Sequence, residues 1–252
     1  MYFGSSMVFW CLVKFFGPHT YIFLPPPLHR LASKLLYQDS IKYQLITNIR
    51  LNMRSAGALD SMVVLSETFS SLGLEDSAAG HSGKPRVLSV LSSILEGSVR
   101  KNERLVRQSK MKDVITMFHA SEVPALSIRK YIERIFKYSS CSNSCFVVAY
   151  IYIERFLQRT GTCLTSLNVH RLLITSILIA AKFMDDDCYS NGYYAKVGGV
   201  STAEMNNMEM AFLLSLDFKL YVTTEMFGKY CQQLEDVGRY RRHGHFLRLR
   251  QY

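Results

Sequence analysis

No stretch of this 252-residue chain alternates apolar and polar residues long enough to make a β-strand. Equally absent are Gly-x-Gly-x-x-Gly, a phosphate-binding Gly-Lys loop, His-Glu-x-x-His and Gly-x-Ser-x-Gly. These gaps exclude the common dinucleotide, nucleotide-triphosphate, zinc-protease and serine-hydrolase sites. The adjacent glycines in Gly192–Val200, "GYYAKVGGV", follow no strand and make no nucleotide loop. Six cysteines are present, none in a Cys-x-x-Cys pair. Cys141 and Cys145 are four apart and would share a face in a helix, but no nearby His or Cys pair completes a zinc site. Reduced, half-buried thiols in a nuclear or cytoplasmic protein are the expectation. The histidines are dispersed, and His170 at a helix start reads as a surface or cap residue. Asp185, Asp186 and Asp187 cannot all turn onto one ion and read as a solvated loop. No catalytic, cofactor-binding or metal-binding residue is predicted, and an enzyme is not expected.

Long apolar runs are missing too. Leu172 to Ala181 is far shorter than the ~20 residues of a bilayer span. The aromatic N-terminus is broken by Lys14 and by Gly17-Pro18, and it lacks a basic start and a small-x-small cleavage site. No membrane association is predicted. Residues 1–59 have no coherent period and are expected to be a disordered extension, with Met53 and Met62 as alternative starts. Residues 60–84 read as a linker, richest in Gly, Ser and Asp from 73 onward.

Charge of one sign is absent from the middle of the chain. The net charge is +10, yet 60–125 holds eight basic and eight acidic residues, and 126–236 holds eleven of each. The excess lies at the ends: six Lys/Arg against one acid in 1–59, and five arginines without an acid in the last sixteen residues. A core without a basic face has no electrostatic footprint for nucleic acid. Direct nucleic-acid binding is therefore not predicted.

What the sequence does hold is helical periodicity. Val87, Leu88, Val90, Leu91, Ile94, Leu95 and Val99 form one stripe. Past Pro124, five further segments follow. The first spans about 127–138, opening at Ser127. The second spans about 145–159, capped by Asn143 or Ser144 and ending at Gly161. The third, "VHRLLITSILIAAKFM", follows a cap at Asn168. The fourth opens on the capping box Ser201-x-x-Glu204, and the fifth starts at Thr223 or Thr224 and runs to about Gly238. The fold class is all-α: a five-helix domain over 85–237 with a flanking N-terminal helix, then a basic tail at 238–252. The third helix is apolar on nearly every face and belongs at the centre.

The runs "SCFVVAYIYIERFLQR", "NVHRLLITSILIAAKFMDDD" and "NGYYAKVGGVSTAEMNNMEMAFLLSLDFKLYVT" resemble the cyclin box. More narrowly, they are similar to the plant P-type cyclins, also called U-type, which have fungal relatives. The resemblance implies a single five-helix cyclin box and a regulatory subunit of a cyclin-dependent kinase, in cell-cycle or nutrient-linked control. It implies kinase contacts at Lys182, ending the third helix, and Glu209, on the fourth. Phe183 and Phe212 are the apolar candidates beside them, with Ile179 and Leu213 assigned to the core. A lysine there buries its stem and presents its ammonium at the rim, favoured by the helix C-terminus; charge reversal is then expected to weaken the partnership without unfolding the bundle. The alternative for the two charges is a pair with each other.

Other features depart from cell-cycle cyclins. Where those display Met-Arg-x-x-Leu for substrates, this chain has "IRKYIERI", keeping only Arg129, so docking of Arg-x-Leu substrates is not expected. No second box is expected after residue 237, and the loop "TGTCLTSL" is short. Rival readings are a cyclin-fold transcription factor whose Arg-rich tail touches nucleic acid, and a helical scaffold for a partner other than a kinase.

Overall fold

A computed structural model describes residues 59–74, 83–108, 110 and 112–242. The predicted extension lies outside these residues apart from Leu59, as does the basic tail beyond 242. The described residues form α1 (Leu59–Leu72), α2 (Arg86–Arg107), α3 (Ile128–Ser139), α4 (Asn143–Thr160), α5 (Val169–Met184), α6 (Asn191–Gly198), α7 (Thr202–Ser215) and α8 (Thr224–Arg242). They contain no strand. The fold is all-α.

α5 is the axis. Every side chain from Leu172 to Phe183 is buried, as all-round apolarity demands. α4, α7, α6 and α3 pack around it. α2 contributes the predicted stripe, with Val87, Leu88, Val90, Leu91, Leu95 and Val99 buried.

Several helix ends follow the local chemistry read from the sequence. Ser127 accepts from the Lys130 amide, and Thr223 accepts from Met226. At Ser201 the full capping box forms, the hydroxyl taking the Glu204 amide and the Glu204 carboxylate taking the Ser201 amide. α4 stops at Gly161, whose φ of 69° suits a residue without a Cβ. Ser201→Ala is expected to cost about 1 kcal/mol, measured as a lowered urea midpoint with an unchanged slope.

Elsewhere the structure differs from expectation. Much of the 60–84 "linker" is helical: α1 occupies it and packs Phe69 edge-on against Phe227 of α8, centroids 5.7 Å apart. Glu235 of α8 clamps this corner, accepting from Ser71 of α1 at 2.9 Å and Arg86 of α2 at 2.6 Å. Burial favours the neutral form of Glu235, but Arg86, Arg239 and Ser71 outweigh it and hold the carboxyl below its ordinary range.

Asn168 holds the N-cap position of α5, as expected, but its side chain makes no capping bond. Its side chain turns back, accepting from Thr165 at 2.9 Å and donating to the Cys163 carbonyl at 2.7 Å, so it closes the preceding turn. Neither Asn143 nor Ser144 caps α4: the N-cap is Ser142, and Asn143 instead donates to the Gly73 carbonyl at 2.7 Å. α6 is a helix that periodicity did not predict. It lies so close to α5 that a Cβ on Gly198 would stand 2.9 Å from Ile174 Cγ1.

Candidate functional site

The C-terminal turn of α5 carries Lys182, and α7 carries Glu209, 27 residues later. Their side chains meet: Lys182 Nζ donates to Glu209 Oε1 at 2.6 Å. Both are buried, at 7% and 1% exposure. The second carboxylate oxygen accepts from Asn191 Nδ2 at 2.7 Å, and the same amide nitrogen donates to Asn206 Oδ1 at 2.8 Å. Three helices are thereby joined through one carboxylate: α5 by the ammonium, α6 by Asn191, α7 by Glu209 itself. The α5 C-terminus also favours the positive charge of Lys182. Two opposite charges this deep are held by geometry and by the additional hydrogen bond, since desolvation works against each alone.

The aromatic candidates are placed differently. Phe212 is fully buried, stacked on Phe156 of α4 with centroids 5.0 Å apart and planes 9° apart. Phe118 meets both rings edge-on, at 5.0 Å from Phe156 and 5.9 Å from Phe212. Phe212, expected as an apolar kinase contact, packs against these rings in the core of this chain. Phe183, 3% exposed, also belongs to the core cluster. Ile179 and Leu213 are buried as expected. The apolar groups that α7 leaves outside are Met210, 41% exposed, and Leu214, 59% exposed.

Among the described residues no three His, Cys, Asp or Glu side chains are placed to hold a metal ion, and no helix is long and apolar enough to cross a membrane. Asp185 is not a free member of the acidic run. Its carboxylate accepts from the Ser142 amide at 3.0 Å and from the Cys145 thiol at 3.3 Å, fixing the start of α4 to the end of α5. His170 is buried rather than a surface residue, its Nε2 2.7 Å from the Leu126 carbonyl. Desolvation holds its pKa below the ordinary histidine value.

The cyclin family profile matches residues 78–220, which span α2 to α7 and contain the whole Lys182–Glu209–Asn191 cluster. The chain belongs to the cyclin family. Its most similar relatives include Cyclin-P3-1 of Oryza sativa subsp. japonica, 53% identical over 171 residues, which cover 67% of this chain and 72% of that one. Cyclin-U4-2 of Arabidopsis thaliana is 48% identical over 152 residues, 60% of this chain and 70% of its own length. Cyclin-U3-1 of Arabidopsis thaliana is 46% identical over 182 residues, covering 72% and 82%. Within the cyclin family this chain is one of the plant P- and U-type members.

The match ends before α8, so α3 to α7 are the five helices of this cyclin that lie inside it beyond the flanking α2. α6 takes a place that the periodicity had left to a loop. Sequence reasoning also missed Asn191. Its position after Ser190 and before Gly192 reads as a turn, and no spacing rule links it to Glu209 eighteen residues on. Met210 and Leu214 were legible in principle as an i, i+4 apolar pair.

Proposed function

We propose that this cyclin is the regulatory subunit of a cyclin-dependent protein kinase, acting in cell-cycle or nutrient-linked control in the nucleus or cytoplasm. The single observation that carries the reading is the buried Lys182–Glu209 pair, braced by Asn191 where α5, α6 and α7 meet inside the cyclin match. A pair so fixed presents its remaining hydrogen-bonding capacity in one orientation. Lys182 has further N–H donors to offer to kinase backbone carbonyls. Met210 and Leu214 on the outer side of α7 supply exposed apolar area for the same partner.

Activation of this kind needs no chemistry from the cyclin. It binds the kinase state with the active-site helix turned inward more tightly than the resting state, and the population moves accordingly. A stable complex of this type buries more than ~1,200 Å² in total.

The test is affinity purification of the full chain from its native tissue, followed by phosphotransfer assays with and without the recovered catalytic subunit. The expected result is no activity from the cyclin alone, a cyclin-dependent kinase in the eluate, and activity on mixing. Recovery of transcription machinery or of unrelated partners, with no kinase, overturns the reading.

A further inference from the structure

The balanced charge of 60–125 conceals where its cations stand. Six of the eight basic residues in that stretch fall within 100–112, where Glu103 is the only acid. Arg100, Arg104 and Arg107 recur at helical spacing on the side of α2 turned away from its buried stripe, with Lys101 beside them. Lys110 and Lys112 follow just past the helix, and all six side chains are exposed. The nearest acids are engaged elsewhere. Glu103 accepts from the Ser166 amide at 3.0 Å, and Asp113 accepts from the Cys163 amide at 2.9 Å and meets His119 Nε2 at 3.2 Å. No carboxylate among the described residues pairs with any of the six cations. From this face the chain passes directly into an apolar loop, with Ile115 74% exposed, Val114 47% and Met117 42%. We propose that the outer face of α2 and this loop form a peripheral membrane-binding surface for anionic lipid.

The loop backbone is pinned although its side chains are in water. The Lys112 carbonyl accepts from Cys163 Sγ at 3.6 Å, the Val114 carbonyl from Thr162 Oγ1 at 3.3 Å, and the Met117 carbonyl from Arg171 at 3.1 Å. α2 holds the same turn, since Asn102 donates to the Leu164 carbonyl at 3.0 Å. Helix end, loop and the 161–166 turn are thus one connected unit that keeps aliphatic side chains exposed beside cations. The two parts together select the partner. Near an anionic leaflet each Lys or Arg strengthens binding about fivefold, and the long stems of these residues extend the apolar area. Val, Ile and Met gain by entering the acyl boundary. On a nucleic acid they gain little, because bases are met by stacking aromatics. Such contact needs no membrane-spanning helix. Lys182 lies thirteen residues beyond Val169, roughly 20 Å along α5 from the end that this turn leads into, which leaves it clear of the lipid.

The test is flotation of the full chain with phosphatidylcholine vesicles, made with and without phosphatidylserine. Binding is expected only with phosphatidylserine, and added salt should weaken it. The two basic ends of the chain also attract such vesicles, so the variants decide. Arg100→Glu/Arg104→Glu/Arg107→Glu should weaken binding at least about tenfold, and Ile115→Asp at least about threefold. All four side chains are exposed, so urea midpoints should stay near wild type. Should the triple variant unfold, Lys110→Glu/Lys112→Glu carries the same test, with a loss of at least about fivefold. The proposal is overturned if the charge variant or Ile115→Asp binds like wild type, or if phosphatidylserine makes no difference. A charge variant that also loses duplex DNA, with Ile115→Asp unchanged on vesicles, overturns it in favour of a nucleic-acid surface.

Discussion

Lys182→Met is expected to destabilise the protein by roughly 3–5 kcal/mol, the range for removing one partner of a buried ion pair. The cause is the group left behind: Glu209 is 1% exposed, and its buried carboxylate loses the ammonium that pairs with it. The double variant Lys182→Met/Glu209→Leu removes both charges and fills the space with apolar atoms, so most of the loss should return. Urea unfolding of wild type, both single variants and the double variant completes the cycle. A single variant within about 1 kcal/mol of wild type, or a double variant no better than the single, sinks the claim of a buried, coupled pair. The same four proteins separate folding from recognition. On the proposed function, the double variant folds yet fails to activate a kinase, because the donors of Lys182 are gone. The expectation that charge reversal leaves the bundle intact is overturned by this geometry, since Lys182→Glu would set a second carboxylate against Glu209 inside the core.

Much of the architecture was legible in the sequence because its signals are local. The stripe of α2, the all-round apolarity of α5, the Ser201 capping box and the Gly161 stop each lie within one or two turns of chain. α6 failed that test, being eight residues with two glycines and no stripe. α1 was passed over because its own apolar pattern is short and only its docking against α2 and α8 explains it. At the site, Lys182 and Glu209 were found through family resemblance, and the sequence left open whether they face a partner or each other. Their meeting depends on how α5 and α7 cross, which no local rule encodes. Asn191 was invisible for the same reason: a turn-forming residue in one dimension became the brace of a carboxylate in three.

Phe212→Ala is expected to cost about 3–5 kcal/mol through the cavity it opens between α4, α7 and the loop that carries Phe118. Phe212→Leu keeps much of the volume and should lose less, though it forfeits the stacked contact with Phe156. Leu214→Ala, two positions along the same helix, should stay within about 0.5 kcal/mol of wild type, because that side chain is already 59% exposed. Thermal or urea unfolding ranks the three, and the reverse ranking would show that Phe212 is not enclosed. Kinase affinity should sort them the other way once compared at equal folded concentration. Leu214→Ala loses apolar area at the proposed interface, whereas folded Phe212→Leu keeps its outer surface and its affinity. α7 therefore divides its labour by face: Phe212 holds the helix to α4, Glu209 ties it to α5 and α6, and Met210 with Leu214 stay exposed, which on the proposed function is the face offered to the kinase.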